Sequence, residues 1–176
     1  GHLRAGALTF GLSMIFLLAI SGSYHTPAWP DQTKAILRLI DHCMIFVFLG
    51  GTYTPFILAC QGDIFVWFLP LVWVMALGGI LRTVFLPDVS RWFKAGFYIL
   101  MGWMALPLLG LWIRELGWDT VNLLLMGGVV YTAGGVIYVK QRPNPWPHTW
   151  GYHECFHVAV IVGCIFHYCA VWRVVT

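Results

Sequence analysis

Apolar residues run in long blocks along this chain instead of alternating with polar ones. Six blocks, 5–24, 39–60, 64–81, 95–113, 121–139 and 152–172, reach or approach the ~20 residues a helix needs to cross the hydrocarbon core of a bilayer. Short polar or proline-rich breaks separate them: Thr26-Pro-Ala-Trp-Pro-Asp31, Gln61-Gly-Asp63, Pro87-Asp-Val-Ser-Arg91, Arg114-Glu-Leu-Gly117 and Arg142-Pro-Asn-Pro-Trp-Pro147. Connections this short join antiparallel neighbours. The pattern predicts an all-α, polytopic transmembrane bundle with six spans, forming one domain over residues 1–176.

Composition agrees. The chain is 60% hydrophobic and 10% charged, where a soluble domain carries about 25% charged residues. The net charge of +3 is small and no basic run is interleaved with aromatics, which excludes a nucleic-acid partner and leaves membrane lipids as the expected surroundings. Threaded alternately, the spans place Lys34, Arg38, Arg82, Arg91, Lys94, Lys140 and Arg142 on one side and Arg4, Arg114 and Arg173 on the other. The bias makes the first side cytoplasmic. Both ends then lie outside the cytoplasm. A complete protein that starts inside would need one more span upstream, and the absence of an initiator methionine before Gly1-His2 agrees with that expectation.

Glycine pairs recur inside the spans, at Gly50-Gly51, Gly78-Gly79, Gly127-Gly128 and Gly134-Gly135. Close helix–helix packing accounts for such pairs in lipid, and a hinge is the alternative. Pro55 and Pro107 are expected to kink their helices. The five cysteines form no CxxC pair and read as small apolar packing residues.

Ionisable residues within spans are costly and mark function. His153 and His157 share a helix face with about 6 Å of rise between them, a spacing that suits one metal ion. His25 closes the first span and Asp41 begins the second, at the same membrane face by the threading above. Three imidazoles at one depth match a zinc site with an open position. A water held there would have its pKa lowered to about 7, and Asp41 would hold it or accept its proton. Asp41 could instead pair with Arg38. Ser21 shares a face with His25 and either orients the site or bonds back to the Leu17 carbonyl. His167 lies about 15 Å beyond His157 along the helix, too far for the same ligand shell, and reads as a separate polar contact. His42 faces away from Asp41 and is expected to pair elsewhere.

Together, Ser21-Gly-Ser-Tyr-His25, Asp41, His153-Glu-Cys-Phe-His157 with His167-Tyr168, and Phe48-Leu-Gly-Gly-Thr-Tyr-Thr-Pro55 resemble the progestin and adipoQ receptor family, whose bacterial branch is called haemolysin III. The resemblance runs from Ala5 to the end of the chain. It implies seven transmembrane helices, of which the first, with its Glu, Asn and His motif, is missing here. It implies zinc near the cytoplasmic face on His25, His153 and His157, with Asp41 and Ser21 beside it. It also implies residence in the bacterial inner membrane and a link to lipid-amide hydrolases of the alkaline ceramidase type.

The expectation is therefore a zinc-dependent intramembrane lipid hydrolase with a role in membrane homeostasis. The rival readings are a receptor-like sensor with a structural zinc, a pore, and a haem protein, for which His157 would be surplus.

Overall fold

The computed structural model describes residues 1–26, 28–146 and 148–176; Pro27 and Pro147, which belong to two of the expected breaks, lie outside the described residues. Among the described residues the regular structure is helical apart from a single bridge between Trp146 and Trp150. Six segments among the described residues are long and apolar enough to span a bilayer. The chain divides into two compact units, 1–88 and 89–176.

The first unit holds α1 (His2–His25), α2 (Asp31–Ala59) and α3 (Asp63–Phe85). α2 packs against both of its neighbours, and adjacent glycines on it make this feasible. A Cβ on Gly51 would collide with Ser13 of α1, and one on Gly50 would press on the Trp73 ring of α3. Successive helical residues point about 100° apart, so one glycine admits each partner. Phe10 and Phe48 meet at 5.8 Å between α1 and α2, and Tyr53 meets Phe68 edge-on at 5.9 Å between α2 and α3. Pro55 is buried within α2 without ending it. With 29 residues, α2 is about 44 Å long. It thus exceeds the ~30 Å hydrocarbon core by about nine residues. It begins at Asp31, one residue after Pro30, eight residues before the apolar block, and a carboxylate in the first turn is favoured by the helix dipole.

The second unit holds α4 (Arg91–Gly102), a 3-10 turn (Leu106–Leu108), α5 (Leu109–Leu116), α6 (Trp118–Lys140) and α7 (Tyr152–Val175). Ser90 caps α4, its hydroxyl accepting from the Phe93 N–H at 3.2 Å. The fourth span is interrupted, not merely kinked. Pro107 has no N–H to return to the Trp103 carbonyl and disfavours helical geometry in the residue before it. The Leu106 N–H bonds the Trp103 carbonyl at 3.0 Å instead, and the Leu108 N–H bonds Ala105 at 3.0 Å. Tightened bonds of this kind keep backbone groups satisfied where lipid offers none. At the break, the Trp103 indole donates to Thr132 Oγ1 of α6 at 2.9 Å.

α6 repeats the glycine arrangement of α2. Gly127 faces His167 and Gly134 faces Ala159, both on α7, while Gly128 faces Trp103 and Gly135 faces Ile99. Tyr131 in turn lies against Gly163 of α7. Bulky side chains such as Ile15, Phe16, Trp67 and Ile165 are exposed, as lipid contact allows. Lipid tails are as apolar as leucine, so close packing and polar contacts, not hydrophobic burial, hold such helices together.

Candidate metal centre

The start of α7 is built from local hydrogen bonds. The Gly151 N–H donates to Glu154 Oε2 at 2.8 Å, and the Tyr152 N–H donates to Asn144 Oδ1 at 3.2 Å. Gln141, which ends α6 in the left-handed conformation at φ 54°, donates through Nε2 to the Tyr152 hydroxyl at 2.9 Å. These bonds set where α7 begins. They also commit Glu154, the acidic neighbour of His153, to capping the helix.

One residue into that helix the predicted pair converges. His153 Nε2 and His157 Nε2 lie 3.0 Å apart, with ring centroids 4.6 Å apart and planes at 84°. Both are half-buried, beside Phe156 and, for His153, Tyr138 of α6. Two nitrogens that each sit 2.0–2.1 Å from a zinc ion at a tetrahedral angle are about 3.3 Å apart. A change of a few tenths of an ångström lets this pair share one ion, so the donor set fits zinc.

In the first unit, His25 is the last residue of α1 and its exposed ring lies beside Tyr24, with centroids 4.3 Å apart and planes tilted at 59°. Ser21 lies in the turn before it and is half-buried. Among the described residues Ser21 does not bond back to Leu17, whereas Thr26 Oγ1 does donate to the Gly22 carbonyl at 2.7 Å. Asp41 opens the half-buried run 41–45 of α2, and its carboxylate lies 3.9 Å from His42 Nδ1. The pairing with Arg38 is not formed among the described residues. His42 Nδ1 sits 2.7 Å from the Arg38 carbonyl one turn back, so it has a closer partner than Asp41, although it does not face fully away from that carboxylate as expected.

His167 keeps apart, as helix geometry requires. Its Nε2 lies 3.3 Å from the Leu124 carbonyl of α6, so the Nε2–H tautomer donates there. Its ring meets Tyr131 edge-on at 5.1 Å, and the Tyr131 hydroxyl donates to Cys164 Sγ at 3.3 Å. Neither Tyr131 nor Cys164 stands out in the sequence, because a lone tyrosine and a lone cysteine inside apolar spans carry no pattern.

Residues 3–168 match the family model described as Haemolysin-III related. The Hemolysin-3 homolog of Bacillus subtilis (strain 168) is 32% identical over 167 residues, covering 91% of this chain and 75% of the relative. Hemolysin-3 of Bacillus cereus is 30% identical over 163 residues, covering 90% and 73%. The heptahelical transmembrane protein ADIPOR2 of Oryza sativa subsp. japonica is more distant, at 26% identity over 193 residues, covering 94% and 82%. The chain belongs to the haemolysin-III related family of integral membrane proteins.

Proposed function

We propose that the protein is a zinc-dependent hydrolase of lipid amide bonds, residing in the bacterial inner membrane with its metal near the cytoplasmic face. The observation that carries this reading is the pair of imidazole nitrogens of His153 and His157, 3.0 Å apart at the start of a membrane helix. His25 is the third ligand on sequence grounds: alternating spans bring the end of the first to the membrane face where the last begins. Three histidines leave one position for water or substrate. Zinc, when bound, supplies Lewis acidity and an activated water.

The chain's own residues do the rest. His153 and His157 hold the metal from consecutive turns of one helix. Asp41 accepts the proton released as water attacks the amide carbonyl, and passes it to the leaving amine. Ser21 orients the His25 side of the site. Two long acyl chains need no water-filled route to a site at the end of membrane helices, which favours lipids as substrates.

The test begins with metal analysis of the purified full chain. About one zinc per chain is expected, with its loss in His153→Ala. Zinc at the unmutated level in that variant would show the assignment to be wrong. The zinc-loaded chain is then offered a panel of lipid amides, and release of fatty acid is measured. Zinc without turnover across the panel would point to the receptor-like sensor, in which the metal ties helices together.

A further inference from the structure

A second polar feature lies in the first unit, at the start of α2. Tyr24 of α1 and Asp31, Lys34, Ala35 and Arg38 of α2 line a pocket of about 150 Å³. That volume is room for one phosphate group.

The charges in the pocket are unspent. The ion pairs His42–Asp41, Arg114–Glu115 and Arg173–Asp119 use none of Lys34, Arg38 or Asp31. Asp31 and Lys34 stand three residues apart on one helix, a spacing at which opposite charges ordinarily meet, yet among the described residues no ion pair joins them and both line the pocket. Two cations against one carboxylate leave a net charge of +1.

Its depth is also legible. The first nine or so residues of α2 extend beyond the hydrocarbon core, because the helix is about 14 Å longer than that core is thick. Lys34 and Arg38 therefore stand at headgroup level. Trp29, partly exposed, is held in the same linker by an indole hydrogen bond to the Ser23 carbonyl at 2.8 Å, and tryptophan favours this interfacial layer. Lys34 and Arg38 are exposed while Tyr24 is half-buried, so the cationic side opens outward.

The geometry points to a lipid-headgroup site: Lys34, Arg38 and Tyr24 receive the phosphodiester of an anionic phospholipid of the phosphatidylglycerol type at the interfacial end of the α1–α2 pair. Arginine offers a planar fork of donors to two phosphate oxygens, lysine a point charge, and the tyrosine hydroxyl a further donor. One negative phosphodiester neutralises the net +1. Asp31 limits the site to a single anionic charge. This site stands whether or not the histidines hold metal.

The test is a titration of the detergent-purified full chain with phosphatidylglycerol, with bound lipid counted by native mass spectrometry. Each lost cation is expected to weaken binding about 5-fold, and Lys34→Gln with Arg38→Gln about 25-fold, as ~1 kcal/mol per cation near an anionic lipid implies. Asp31→Asn should tighten binding, a direction that misfolding does not mimic. Lys140→Gln, a basic residue outside the pocket, should leave it unchanged. Equal affinity for the double variant and the parent overturns the site, as does equal affinity for phosphatidylcholine. Displacement of the lipid by inorganic phosphate at equal concentration overturns the lipid as occupant.

Discussion

The imidazole of His167 fills the space left by the missing side chain of Gly127. The ring lies where a Cβ on that glycine would be, and from there it reaches the Leu124 carbonyl one turn earlier on α6. The same seam is completed by Tyr131 lying over Gly163 and by Gly134 meeting Ala159. α6 and α7 thus approach through reciprocal small–large contacts, and a polar one closes the row.

Gly127→Ala is expected to destabilise the protein by about 1–3 kcal/mol, the usual range for overpacking a close contact. The ring of His167 cannot retreat without breaking its bond to Leu124. Thermal unfolding in detergent should show a lowered midpoint. Gly11→Ala, at a position where a Cβ meets nothing within 4 Å, should not lower it, and an equal fall in both would refute the contact.

Gly51 and Ser13 offer a reciprocal test in the first unit. A Cβ on Gly51 meets both Ser13 Oγ and Ser13 Cβ, so Gly51→Ala alone should cost about 1–3 kcal/mol. Adding Ser13→Gly removes the obstructing atoms and should recover much of the loss. A double-mutant cycle on unfolding free energies reads the coupling, expected at about 1 kcal/mol or more. Strict additivity would show that the two residues do not touch.

The ion pair of Arg173 with Asp119, 2.9 Å long, joins the end of α7 to the start of α6 with side chains 50% and 75% exposed. Solvent screening makes such pairs weak, so Arg173→Gln should change stability by no more than about 1 kcal/mol. The same unfolding assay should rank it well below Gly127→Ala. The reverse ranking would mean that charge, not packing, holds these two helices.

The histidines and Asp41 should separate by readout. His157→Ala is expected to lose zinc as His153→Ala does, because each supplies half of the 3.0 Å pair. Asp41→Asn should keep the metal and lower lipid-amide turnover by about 10²–10⁴-fold, the range for a lost general base. Metal content and fatty-acid release measured on the same preparations decide it. Loss of zinc in Asp41→Asn would make Asp41 a fourth ligand and the site a closed, structural one.

Much of the fold was legible along the chain. Lipid obliges each span to satisfy its own backbone hydrogen bonds within one helix, so a block of apolar residues already implies a helix, and among the described residues each of the six candidate spans overlaps one of the six blocks. The convergence of His153 and His157 was legible for the same reason, since a spacing of four along one helix needs no other segment to bring the rings together. The interruption of the fourth span was only half legible: Pro107 marks the place, but the break falls on the residues before it, where the missing N–H and the crowded backbone act.

Partners were not legible. Nothing along the chain says that Gly50 admits Trp73 while Gly51 admits Ser13, that the Trp103 indole bonds Thr132, or that His167 reaches Leu124. Nor does it say that Asp41 lies nearer His42 than Arg38, or that Lys34 and Arg38 border a pocket with Tyr24. Periodicity and hydropathy are properties of residues near one another in the chain, and they settle which segments are helices and which residues share a face. The partner across a helix interface depends on rotation and register between segments remote in sequence, and those follow from the fit of many side chains at once.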